Sequence, residues 1–254
     1  MIFRWFWLVS ALPLWLGACA TTDPTAATPE QATPWQLASS PSFPAVPWQH
    51  YRLPGKRPSD FRYTHHDGRD AMAVTAVSSA SMLRRALRIE PAELGSVRFS
   101  WKVPALMAQA DMALREADDS PVRIVLAFDG DRSTFSGKNA MLSELSRALT
   151  GEELPYATLM YVWCNQCVPG SVIVNPRTDR IRKLVLQSGA GQLNQWLDYE
   201  RDIRQDFEKA FGEAPGALVG IGIMTDSDNT GSTTQAWYGP VRLAPRTVSA
   251  WLPK

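Results

Sequence analysis

Asp60-Phe61-Arg62-Tyr63-Thr64-His65-His66-Asp67-Gly68-Arg69-Asp70-Ala71-Met72-Ala73-Val74-Thr75-Ala76-Val77 is the stretch whose reading sets the fold class. Asp67-Gly68 is a strong two-residue turn signal, because a type I′ turn needs two residues that tolerate positive φ. Phe61-Arg62-Tyr63-Thr64 before it and Ala71-Met72-Ala73-Val74 after it read as strands. A two-residue loop joins only antiparallel neighbours; parallel strands need a crossover of about a dozen residues or more. The spacing therefore predicts a hairpin over residues 60–77 and an antiparallel sheet to receive it.

Working outward, further apolar and β-branched runs follow. They are Ser81 to Leu87, Val97 to Val103, Val122 to Phe128, Tyr156 to Trp163, Ser171 to Val174, Ile181 to Gln187, Leu218 to Met224 and Thr234 to Leu243. In the last run, Tyr238-Gly239-Pro240 predicts a kink or an end to ladder pairing near a sheet edge. Two segments carry helical spacing instead. One has Met141, Leu142, Leu145 and Leu149; the other has Trp196, Tyr199, Ile203, Phe207 and Phe211, closed by Gly212. The predicted class is mainly β: a single β-sandwich of jelly-roll type with two inserted helices. The alternative is an α/β mixed sheet, since each helix lies between two apolar strands. The early hairpin, and the lack of a β–α rhythm before residue 135, favour the sandwich.

The N-terminus carries an address. Residues 1–18 hold Arg4, an apolar run from Trp5 to Leu16, then Gly17-Ala18 before Cys19. This is the pattern of a secretory signal, and the run is shorter than the ~20 residues a spanning helix needs. Leu16-Gly17-Ala18-Cys19 matches a bacterial lipobox, which predicts cleavage before Cys19 and lipidation (diacylglycerol plus an acyl chain) of that cysteine. Residues 19–47 read as the lipidated cysteine and a tether; six prolines lie between 20 and 47. A flexible chain of that length reaches on the order of 30 Å. Ala20 follows the cysteine, and by resemblance to sorted bacterial lipoproteins this favours the outer membrane, facing the periplasm. Residues 48–254 are the predicted folded domain.

Loss of residues 1–18 removes one of 26 basic residues, Arg4, and no acid, so 25 bases face 25 acids. No global field draws such a chain to nucleic acid, and none is expected as a partner. The expected partners are the membrane, through the lipid, and an envelope glycan or protein.

Several local features are candidate sites. Thr225-Asp226-Ser227-Asp228-Asn229-Thr230-Gly231-Ser232 places Asp226, Asp228 and Thr230 at alternate positions before a glycine. That spacing fits the first half of an EF-hand-like loop and makes them candidate calcium ligands. Position twelve is Trp237, where a bidentate Glu is expected, so an ion would have to borrow a carboxylate, with Asp129 or Asp131 as candidates. The same loop also reads as a plain Asp/Asn/Gly turn. Asp129, Asp131, Asp226 and Asp228 could converge as ligand-binding residues or as an acid–base pair, but a catalytic assignment needs a separation that spacing does not supply. Trp163, Trp237 and Tyr238 are candidate sugar-stacking residues or core. Cys164-Asn165-Gln166-Cys167 leaves several readings open: a short-loop disulfide, two free thiols, a redox centre or half a zinc site.

Ser100-Trp101-Lys102-Val103-Pro104, DDSPVRIVLAFDGD (118–131), LPYATLMYVW (154–163), NPRTDRIRKLVLQSG (175–189) and TDSDNTGSTTQAWYGPV (225–241) together resemble the bacterial family called domain of unknown function 3047, over roughly residues 50–243. The resemblance implies no reaction or ligand. The strand order, ending in an acidic loop and an aromatic-glycine strand, also resembles galactose-binding-like β-sandwiches, which implies carbohydrate binding and a structural calcium. The resulting expectation is a non-catalytic binding module for a glycan or other envelope component. An envelope hydrolase using paired aspartates, or an assembly lipoprotein with protein partners, are the alternatives.

Overall fold

In the computed structural model, residues 48–244 and 246 are described. The signal segment, Cys19 and the tether lie outside the described residues, as do residues 247–254.

The hairpin forms as its turn chemistry dictates. β2 (Asp60–His66) pairs antiparallel with β3 (Arg69–Val77), from Asp60↔Thr75 to His66↔Arg69. Asp67 and Gly68 both take positive φ, 48° and 74°, as a type I′ turn requires. β3 then pairs with β12 (Thr233–Tyr238), and β12 pairs with β5 (Ser96–Lys102), which carries β10 (Leu197–Asp202) on its other side. β13 (Arg242–Ala244) continues along β5 beyond β12. The break between them falls at Gly239-Pro240, where a Cβ on Gly239 would strike Ser100 Oγ.

The second sheet has seven strands in the order β1-β4-β11-β6-β7-β9-β8. These are Gln49–Arg52, Ala80–Ile89, Leu218–Asp226, Ser120–Phe128, Ala157–Cys164, Ile181–Ser188 and Val172–Val174. Only β7 and β9 run parallel; every other described pair is antiparallel. Inward residues of the two sheets share one core: Val97, Phe99, Trp101, Ala236 and Tyr238 from one; Ile124, Leu126, Tyr161, Leu184 and Ile223 from the other. This is a β-sandwich with two helices inserted, because sheet faces sheet, whereas an α/β fold would put helices over both faces of a parallel sheet.

The helices depart from the sequence reading. α1 (Gly137–Thr150) forms where expected, from Ser136 at its N-cap to Gly151 in the left-handed region. Its apolar residues face outward, however: Met141, Leu145 and Leu149 are exposed, while Asn139 and Ser143 are buried. The second predicted helix splits. Residues 197–202 are β10, and α2 spans only Ile203–Phe211, N-capped by Asp202, which accepts from Gln205 N at 2.9 Å. Tyr199 fits either period; as a strand residue it stacks on Phe99 at 5.4 Å, and this packing decides between them.

Candidate functional site

The outer face of the six-stranded sheet is set by alternation. In β12, Thr234, Ala236 and Tyr238 are buried, so Thr233, Gln235 and Trp237 point away from the core. In β2 the same face takes His66 at the hairpin end. His66 and Trp237 stack there with centroids 4.0 Å apart and planes 1° from parallel. Charged groups frame this plate. Arg69 grips Asp198 through two hydrogen bonds of 2.6 and 3.1 Å while its guanidinium lies 5.3 Å from the Trp196 ring centroid. Lys102 pairs with Asp67, holding that carboxyl below the usual range. Two depressions flank the plate. One, about 340 Å³, is lined by Thr75, Leu106, Thr233 and Gln235. The other, about 650 Å³, is lined by Arg69, Arg98, Ser100, Asp198, Glu200 and Arg242. The face thus carries a half-buried stacked His66–Trp237 pair between a largely apolar hollow, with Thr75, Thr233 and Gln235 beside Pro104, Ala105 and Leu106, and a charged one.

A second constellation lies at one end of β6 and β11. Asp226 and Asp228 meet Asp119, which spacing did not single out, with one carboxylate oxygen from each within 4.8 Å of the others. Each carboxylate has protein partners. Asp119 accepts from Thr230 N at 2.7 Å, Thr230 Oγ1 at 2.6 Å and Asn229 N at 3.2 Å. Asp228 pairs with Lys56. Asp226 accepts from Ser120 N at 2.8 Å and Arg123 Nε at 3.1 Å. Beneath them, Arg123 and Lys183 both donate to Asp118, at 3.1 and 2.6 Å, and Asn175 donates to its other oxygen at 3.0 Å. Burial pushes the Asp226 carboxyl up to about 6, with Arg123 opposing the shift. Burial also lowers the Lys183 ammonium to about 8, despite Asp118. Arg123 moves upward: burial disfavours its charge, but Asp226 and Asp118 outweigh it.

The other candidates separate. Asp129 and Asp131 stand beyond the far end of β6, since Phe128 pairs with Leu218 while Ser120 pairs with Asp226. Nine residue steps along β6 from Ser120, at about 3.4 Å each, put Asp129 roughly 30 Å from Asp226. An acid–base pair between them, or a loan of either carboxylate to the acidic loop, is not formed. Asp129 instead takes Gly130 N and the guanidiniums of Arg88 and Arg132, and Asp131 accepts from Ser133 N at 2.9 Å. The Thr230 hydroxyl donates to Asp119, which keeps its oxygen beside the acidic cluster. Trp163 and Tyr238 are core, 1% and 0% exposed, so neither offers a ring face to a ligand. Tyr238 spends its hydroxyl on Met224 O at 2.6 Å. Cys164 and Cys167 are joined by a disulfide, Cα atoms 5.6 Å apart. Arg123 and Lys183, which organise the buried network, escaped the sequence reading. The one signal for Arg123 was a charge inside an otherwise apolar strand; Lys183 stands beside Arg182 in a mixed strand and had none.

A comparison with curated proteins gave no match. Among solved structures, the chain is similar to the xyloglucanase domain of NopAA, a type three effector from Sinorhizobium fredii, in complex with cellobiose. That likeness has 10% identity and a TM-score of 0.38, over 78% of this chain and 93% of that one. It is also similar to cellulose induced protein, Cip1, at 9% identity and a TM-score of 0.33, over 78% of this chain and 90% of that one. Likeness at this level carries no inference about activity. The family model described as "Protein of unknown function (DUF3047)" matches residues 46–242, the whole of the sandwich but its last edge, and the chain belongs to that family.

Proposed function

We propose that this chain is a non-catalytic module that binds an envelope glycan across the outer face of its six-stranded sheet, held by lipid at Cys19 on the periplasmic side of the outer membrane. The observation that carries the reading is the His66–Trp237 stack between a mixed hollow with Thr and Gln side chains and a charged one. A sugar ring presents an apolar C–H face and a rim of hydroxyls; an aromatic surface meets the first and Thr, Gln and Arg side chains meet the second. The separation of Asp129 from Asp226 removes a pair between those two; Asp119, Asp226 and Asp228 do converge, and each is held by protein donors. The experiment is calorimetric titration of the full chain with fractionated envelope polysaccharides. A fraction that binds, and whose affinity falls about tenfold or more in Trp237→Ala, is expected. Absence of binding to every fraction would remove the reading and turn attention to protein partners. Mass spectrometry of the chain from cells tests the anchor: a lipid-modified N-terminal Cys19 is expected, and an unmodified one contradicts it.

A calcium ion at the acidic loop is a second reading, favoured by the convergence of Asp119, Asp226 and Asp228. Asp118 and these three face the cations Lys56, Arg123 and Lys183, so the cluster keeps one uncompensated negative charge. Calcium would add positive charge and draw on loop oxygens to approach its usual six to eight ligands. Such a site predicts that calcium raises the melting temperature and that Asp119→Asn abolishes the rise. No rise in the wild type returns the aspartates to holding the loop.

A further inference from the structure

Helix α1 is amphipathic the wrong way round. Met141, Leu145 and Leu149 recur every four residues and are 61%, 52% and 64% exposed. They form an apolar crest about 12 Å long at 1.5 Å per residue. The inward side is polar: Asn139 donates to Asp179 at 2.6 Å and accepts from Thr178 at 2.8 Å. Past the helix end, Glu152 accepts from Arg84 at 2.6 Å. Polar contacts at both ends therefore fix which side faces out. Lys138 and Glu144 flank the crest, both exposed and neither with an ion partner among the described residues.

We infer that α1 docks on the surface of the bilayer that carries the chain's own lipid. This rests on the anchor reading at Cys19. A tether of residues 20–47, reaching on the order of 30 Å, keeps the membrane in range of every molecule. Attachment turns weak contact into an intramolecular step at high effective concentration, so three apolar side chains suffice where they would fail alone. A short amphipathic helix with its apolar side outward suits the boundary between acyl chains and headgroups, where that side is buried and the polar flanks stay wet. Docking would give the sandwich a fixed orientation on the membrane.

The test uses the full chain matured in cells and reconstituted in vesicles of phosphatidylethanolamine with a minor share of phosphatidylglycerol. An environment-sensitive fluorophore is placed at Leu145→Cys and, in a second sample, at Gln235→Cys on the far sheet face; spin-labelled lipid is the quencher. Flotation with the vesicles reports the anchor, and quenching reports the helix. We expect both samples to float and position 145 to be quenched several-fold more than 235. Adding Met141→Glu and Leu149→Glu to the Leu145→Cys chain should abolish that difference without loss of flotation. Both positions are exposed, so an unchanged near-ultraviolet dichroism is expected alongside. Chains that float with 145 no more quenched than 235 overturn the docking alone. Chains that fail to float overturn the anchor reading and the docking with it. A blue shift at 145 without vesicles assigns the crest to a second copy and overturns the lipid surface.

Discussion

Arg123 sits in the middle of a strand that otherwise reads as a buried apolar run, and it is 3% exposed. Its guanidinium holds Asp118 and Asp226 apart and neutralised at the end of the sandwich. Replacing it with Met keeps the packing stem but leaves two buried carboxylates short of their partner. Arg123→Met should therefore destabilise the fold by about 3–5 kcal/mol, the usual cost of breaking a buried pair from one side, as read by urea denaturation. Asp226 makes the same burial visible through pH. Its carboxyl is raised from 3.8 to about 6, so between those values the folded chain binds more protons than the unfolded one. Its contribution to stability is fully present below the lower value and is lost as pH rises through the upper one. Measured against Asp226→Asn, the wild type should lose relative stability between about pH 4 and about pH 7; a flat difference would contradict the burial argument. These residues were hard to read from sequence because a charge in an apolar strand has no signature for its partner. Asp118, Asp119 and Asp226 meet through folding, across more than a hundred positions of chain.

At the scale of elements, β2–β3 was legible because turn chemistry and alternation agree, and its Asp-Gly turn takes the positive φ values predicted for it. The 196–211 segment was not, because Tyr199, Ile203 and Phe207 lie four residues apart while Leu197, Tyr199 and Arg201 also alternate. The boundary signal present was Asp202, whose side chain caps the first turn of α2 by accepting from Gln205 N. Asp202→Ala should cost about 1 kcal/mol of stability, visible as a lower denaturation midpoint with an unchanged slope. In α1, apolar spacing gave the helix but not its orientation. Periodicity specifies that one face is apolar, and nothing in it says that this face turns inward.

Taken as a whole, the molecule gives its two sheets different tasks. The seven-stranded sheet carries the buried charge network and the acidic loop; the six-stranded sheet turns a stacked aromatic pair, a mixed hollow and a charged hollow to its outer side. Of the aromatic candidates, Trp237 alone kept an outward ring, because it falls on the odd positions of β12 while Tyr238 falls on the even ones; a one-residue slip in register would exchange them. The central claim is that ligand meets this face. Chemical-shift mapping of the isotope-labelled full chain, titrated with the binding polysaccharide fraction, tests it most directly. The account predicts that the Trp237 indole, His66, Arg69 and Gln235 shift first and that Trp237→Ala removes those shifts. Shifts confined to residues 226–232, or spread around Asp129 with Trp237 unmoved, would contradict it.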